Sequence, residues 1–164
     1  MTLAAFLLFA TNAATAPAWH LTVNGLGPVR IGMSPPQSAK ALGTKLSGEA
    51  TDSGAACVEK RVDSLPGVTF MFANGRLTRI SVRQPSPITT PRGIGAGASA
   101  NQVRKAYGAR LRAENTKYEP PPAEYLTYWT VANKRGVRFE TDSNRHVAVM
   151  HAGTNSIIYV EGCA

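Results

Sequence analysis

Gly32-Met33-Ser34-Pro35-Pro36-Gln37-Ser38-Ala39-Lys40-Ala41-Leu42-Gly43 and Gly97-Ala98-Ser99-Ala100-Asn101-Gln102-Val103-Arg104-Lys105-Ala106-Tyr107-Gly108 decide the fold. Gly, Ser, Gln, Lys, Ala and Gly coincide at a constant offset of 65. Each stretch spells a complete short helix. Ser34 and Ser99 are N-caps, and Gln37 and Gln102 three residues later close a capping box. Pro35 takes the first helical position, where its missing N–H costs nothing. Gly43 and Gly108 supply the left-handed C-cap. Helices of about 13 Å do not stand alone in water. Ala39, Leu42, Val103, Ala106 and Tyr107 must therefore pack on something.

A repeated hairpin provides the partner. Val68-Thr69-Phe70 through Val82 matches Val137-Arg138-Phe139 through His151 at an offset of 69. Asn74-Gly75 marks a turn. A two-residue loop would set Phe70 opposite Arg79 and mix core with surface. A three-residue loop, Ala73-Asn74-Gly75, pairs Phe72 with Arg76, Phe70 with Thr78 and Val68 with Ile80. The period-2 rule favours this second register, because a one-residue slip turns every side chain to the other face. The same register in the second copy pairs Phe139 with Val147 and Val137 with Val149. Trp19 to Val23, Cys57 to Val62, Tyr125 to Val131 and Ser156 to Glu161 also read as extended. Gln84 to Gly97 and Glu114 to Ala123 read as loops, with Pro120-Pro121-Pro122 a stiff spacer. The expectation is an α+β fold: two tandem α-β-β-β units, about residues 26–83 and 94–161, sharing one antiparallel sheet with both helices on one face. The other face is then free.

The chain has 164 residues, a formal net charge of +8, 43% hydrophobic and 17% charged residues. That suits one globular domain and excludes disordered, collagen-like and coiled-coil classes. No apolar run reaches the ~18–20 residues of a membrane-spanning helix. Leu3 to Ala10 is an apolar run of eight followed by small residues, and Ala16-Pro17-Ala18 fits a cleavage site before Trp19. The basic segment usual before such a run is missing. The expectation is a signal peptide over 1–18, a single mature domain over 19–164, and a periplasmic or secreted location. In an oxidising compartment the pair Cys57 and Cys163 is expected to form a disulfide.

The turn Ile31-Gly32-Met33-Ser34, the capped helix ending Ala41-Leu42-Gly43 and the hairpin that follows resemble the secreted β-lactamase-inhibitory proteins. They are also similar to the small lipoprotein of the outer-membrane β-barrel assembly machinery, which has one such unit. The specific motif is about a dozen residues long. Gly97-Ala98-Ser99 departs from it in the second unit. The inhibitors hold a cysteine pair inside each unit, whereas Cys57 and Cys163 would join two. No inhibitory contact residue aligns, and none is carried over. The resemblance implies the fold and a habit of binding proteins through a sheet face.

Catalytic signals are absent from the sequence pattern. His146 and His151 lie five apart on one expected strand and point to opposite faces, so they share no metal. Three aspartates and seven glutamates show no spacing suited to acid–base work. No nucleophile elbow, P-loop or dinucleotide fingerprint occurs, and Gly93-Ile94-Gly95-Ala96-Gly97 reads as a turn. No enzyme activity, cofactor or metal is expected. The outward residues are expected to be Thr69, Met71, Leu77, Arg79, Ser81 and Arg83 in the first hairpin. In the second they are Arg138, Glu140, His146, Ala148 and Met150. Strand 125–131 adds either Tyr125, Thr127 and Trp129 or Leu126 and Tyr128. The candidate binding face comprises Met71, Leu77, Arg79, Arg83, Tyr128, Arg138 and Met150, types enriched at interfaces. Arginines outnumber lysines 12 to 6, which suits bidentate contact with carboxylate or phosphate. The expected function is an exported protein-binding module, inhibitor-like, that docks this face on an acidic protein. The alternative is an electrostatic binder of an anionic envelope polymer, lipopolysaccharide or acidic polysaccharide. Nucleic acid is not an expected partner, because no stripe interleaves basic and aromatic residues. The oligomeric state is not legible.

Overall fold

The computed structural model describes residues 19–48, 56–132 and 134–163. The expected signal segment 1–18 lies outside the described residues. The chain opens with a small antiparallel meander: β1 (Leu21–Thr22), β2 (Gly25–Leu26) and β3 (Val29–Arg30). Helix α1 (Pro35–Leu42) follows, then β4 (Cys57–Lys60), β5 (Val68–Ala73) and β6 (Arg76–Arg83). Helix α2 (Ala100–Tyr107) precedes β7 (Arg112–Asn115), β8 (Glu124–Val131), β9 (Arg135–Thr141) and β10 (Val147–Gly153). The seven later strands form one antiparallel sheet in the order β4-β5-β6-β10-β9-β8-β7.

Both helices start as their caps predict. In α1, Ser34 Oγ accepts from Gln37 N while Gln37 Oε1 accepts from Ser34 N at 2.8 Å; Ser99 and Gln102 do the same in α2. Each helix is docked to a hairpin through its entry turn. Gly32 N donates to Leu77 O and Leu77 N to Met33 O, both 2.8 Å; Gly97 N donates to Val147 O and Val147 N to Ala98 O, again 2.8 Å. The helices cover the apolar sheet face. Phe70, Phe72, Ile80, Val82, Phe139 and Leu126 lie there with Val103 and Tyr107 of α2 and Leu21, Leu26 and Val29 of the meander. Full burial of each such side chain contributes about 1.5–3 kcal/mol.

The hairpin register differs from the expected one. Asn74 and Gly75 form a two-residue loop with φ of 49° and 70°, the left-handed pair that matches strand twist. Ala73 faces Arg76 and Phe72 faces Leu77. Thr78 is then an extra residue, a bulge, so that Arg79 faces Met71 and Ile80 faces Phe70. The bulge reconciles the tight turn with a one-sided core. It also turns Leu77 into the core, where it is fully buried. In the second hairpin the Asp142 carboxylate accepts from Asn144 N and His146 N, both 2.9 Å, and makes a longer turn. Ala148 is a bulge there, and Phe139 faces Met150 rather than Val147. Met150 and Ala152 therefore enter the core, while Val149 and His151 face outward.

Two further corrections concern the strands. Part of the expected loop at Glu114 is the edge strand β7. Ser156 to Glu161 is not a strand: Asn155–Ile158 is a short 3-10 turn capped by Thr154 Oγ1. It begins a C-terminal strap that crosses the outer sheet face, which is therefore not free. Thr154 N and Oγ1 both donate to the carbonyl of bulge residue Thr78, at 2.8 and 3.2 Å. Gly153 makes this approach feasible: its φ is +145° and a Cβ there would sit 2.1 Å from Thr78 O. Cys163 at the end of the strap is bonded to Cys57 on the outermost strand.

Candidate functional site

Alternation along paired strands brings one line of polar side chains across the outer face. Ser81 on β6, His151 on β10, Arg138 on β9, Thr127 on β8 and Arg112 on β7 are register neighbours. One pleat along lie Glu140, Tyr125 and Glu114. One pleat the other way, Glu59 on β4, Met71 on β5 and Arg79 on β6 run beneath the strap.

The strap row is an anchor. Arg79 is buried and donates to Glu59 Oε1 at 3.0 Å, to Ser156 O at 3.2 Å and to Tyr159 O at 2.7 Å. Ile157 presses on Gly136, where a Cβ would lie 3.1 Å from its Cδ1. Met71 is buried in the same row.

The central row is a hydrogen-bonded chain. Ser81 Oγ lies 2.8 Å from His151 Nδ1, and His151 Nε2 lies 3.3 Å from Glu140 Oε1. Burial pushes the His151 imidazolium below its ordinary value, outweighing the Glu140 hydrogen bond. Burial would push the Glu140 carboxyl up. The His151 hydrogen bond and the neighbouring charges of Arg138 and Arg79 oppose it, and the carboxyl titrates below its ordinary value. Since His151 is neutral at pH 7, the arginines are the charges that keep Glu140 ionised. A neutral imidazole then accepts from the Ser81 hydroxyl at Nδ1 and donates from Nε2 to Glu140. Serine, histidine and acid stand in the order of a nucleophile relay, but the buried Ser81 lines none of the grooves described below, so no substrate carbonyl is placed at its oxygen. The chain satisfies buried polar groups. Sequence reasoning missed it because residues 81, 140 and 151 share only the register of three strands. Among the described residues no group of three His, Cys, Asp or Glu is placed to hold a metal ion.

Arg138 lies against this chain. Its guanidinium stacks 3.7 Å from the Tyr125 ring centroid, with Glu114 at 3.7 Å and Glu140 at 3.9 Å. Its Nε, 3.9 Å from Glu140 Oε1, and the buried Thr127 Oγ1 make no hydrogen bond within the protein. Both residues line a groove of about 310 Å³ with Arg112, Glu114, Trp129 and Ile158 of the strap. On the other side of Trp129 a second groove of about 400 Å³ is lined by Arg110, Arg112 and Thr130. Arg110 lies 5.0 Å and Arg92 5.1 Å from the Tyr128 ring centroid, with Arg92 also 4.7 Å from that of Tyr107. Arg92, Arg110 and Arg112 form no ion pair among the described residues. An apolar groove of about 620 Å³ between Trp19, Leu42, Leu65 and Ile88 lies elsewhere, beside α1.

The residues expected to form one open face are thus divided. Leu77, Met150 and Tyr128 lie on the helix side of the sheet. Met71 and Arg79 are beneath the strap, and Arg138 is buried in the polar chain. Arg83, at the end of β6, is exposed. Strand β8 turns Tyr125, Thr127 and Trp129 outward, settling the alternative left open by its sequence. Arg112 and Trp129 were not among the expected site residues; alternation along β8 carried a signal for Trp129, whereas β7 had none. No described helix is long and apolar enough to cross a membrane. No family model, no curated protein and no solved structure matches the chain.

Proposed function

We propose that this chain is an exported, non-catalytic binding module for an anionic polymer of the cell envelope, captured at the guanidinium rim around Tyr128 and Trp129. The observation that carries it is the set Arg92, Arg110 and Arg112. Arg92 and Arg110 lie over the Tyr128 ring and Arg110 and Arg112 line the groove beside Trp129, none of them in an ion pair among the described residues, on a chain of net charge +8. An acidic protein docked on the sheet face is the weaker reading, since the strap covers much of that face.

The reading includes two tandem units. Its support is the equivalent docking of Gly32 and Met33 on Leu77 and of Gly97 and Ala98 on Val147, each followed at the next strand position by a bulge. The same pattern supports the likeness in architecture to the β-lactamase-inhibitory proteins, without their target. The disulfide suits an oxidising compartment.

The test is binding of purified residues 19–164 to immobilised lipopolysaccharide and polygalacturonate. Capture should be firm at about 50 mM salt and lost by about 300 mM. Arg92→Glu with Arg110→Glu should abolish it at low salt. Retention by the double variant, or capture indifferent to salt, refutes the reading.

A further inference from the structure

Trp129 separates two polar grooves, and the smaller one holds buried polar groups that the protein leaves unpaired. Thr127 is 3% and Arg138 4% exposed, yet Thr127 Oγ1 and Arg138 Nε have no hydrogen-bond partner in the protein. Buried polar groups are normally paired. Both residues line the groove between the strap and β7. Its volume of about 310 Å³ sits at the lower bound of the ~300–1,000 Å³ of small-ligand sites, room for a single ring rather than an extended chain. The chemistry of the lining is mixed. Thr127 offers a hydroxyl that both donates and accepts, and Arg138 and Arg112 offer only donors. Glu114 offers only an acceptor, and Trp129 a flat, half-buried indole. A fully ionised phosphate or sulfate would use the guanidiniums but offer Glu114 no donor. A ring carrying vicinal hydroxyls and one carboxylate uses all of them. Its carboxylate would meet Arg112, which forms no ion pair among the described residues, its hydroxyls would reach Arg138, Glu114 and Thr127, and its apolar ring face would lie on the indole.

We propose that this groove is a subsite for one hexuronate ring of an acidic polysaccharide, with the adjoining groove beyond Trp129 continuing the track for the next unit. The proposal rests on the anionic-polymer reading and names its substrate class. It assigns Thr127 and Trp129 to specificity and leaves Arg92 and Arg110 to charge.

The experiment is calorimetric titration of residues 19–164 with oligogalacturonate, neutral maltohexaose and polyglutamate at one low salt concentration. Oligogalacturonate should bind, and maltohexaose should not. Polyglutamate should bind more weakly. Thr127→Val keeps the shape of a side chain whose hydroxyl bonds to nothing in the protein, so folding should be unharmed. It should weaken oligogalacturonate about five-fold and leave polyglutamate unchanged. Trp129→Ala should weaken oligogalacturonate about ten-fold or more, with its unfolding midpoint recorded alongside. Equal binding of oligogalacturonate and polyglutamate, with Thr127→Val affecting neither, overturns the subsite but leaves the electrostatic reading standing. Binding of neither polyanion overturns both.

Discussion

Arg79→Met tests whether the strap is held by side-chain chemistry or only by its disulfide. Arg79 donates at 3.0 Å to Glu59, at 3.2 Å to Ser156 O and at 2.7 Å to Tyr159 O. Bonds to a charged group contribute about 1.5–3 kcal/mol each when removed singly. They do not add, because one side chain makes all three. Two features lower the total. The Glu59 side chain is 33% exposed, so its carboxylate regains water when the guanidinium leaves. Arg79 Nε has no partner, so its removal relieves an existing cost. The expected loss is about 3 kcal/mol, the lower end for breaking a buried pair. Urea unfolding at pH 7.5 should show a reduced midpoint at an unchanged slope. Limited proteolysis of the reduced variant should cut near Tyr159 while reduced wild type resists. A loss below about 1 kcal/mol, with the reduced variant still resistant, would show that Arg79 does not hold the strap.

Other outcomes follow from the same geometry. The Cys57–Cys163 bond spans 106 residues, so Cys57→Ser with Cys163→Ser should cost about 4–5 kcal/mol in the chain-entropy model; thermal unfolding unchanged by the pair of substitutions would contradict this. His151 is held neutral by burial, so the unfolded chain takes up its proton first as pH falls below the ordinary 6.5. Stability should therefore be full above that pH and decline beneath it, with a second decline below 4.5 as Glu140 protonates in the unfolded chain. His151→Gln should flatten the first decline, measured as urea midpoints between pH 7.5 and 5, and an equal slope in both proteins would count against a buried neutral imidazole. Gly153→Ala should cost several kcal/mol and free the strap, because a methyl group meets Thr78 O; a midpoint within experimental scatter of wild type would refute the close approach.

How far these features were legible depends on their range in the chain. The capping boxes at Ser34 and Ser99 involve residues three apart, so they stand in the sequence and hold in the structure. Burial of Phe70, Ile80, Phe139 and Val137 on one face follows from alternation. The turn at Asn74-Gly75 was also readable as a two-residue loop. A bulge was not, because Thr78 and Ala148 carry no local mark. Omitting them shifted the register, and Leu77 and Met150 changed sides. The groove was half legible: Thr127 and Trp129 share a face by alternation, but nothing in Arg112-Ala113-Glu114-Asn115 announces an edge strand.

By itself the sequence determined two capped helices, paired hairpins with an apolar side, a strongly basic surface and the two cysteines available to pair. These follow from interactions within a few residues and from composition. Only the tertiary structure decided what covers each face of the sheet. Strand register put Ser81, His151 and Glu140 in contact across a span of 70 residues. The bulge carbonyl of Thr78 and the buried Arg79 drew the C-terminal strap over the sheet. Those contacts arise when distant strands align, and the energy of that alignment is set by packing and desolvation across the whole sheet.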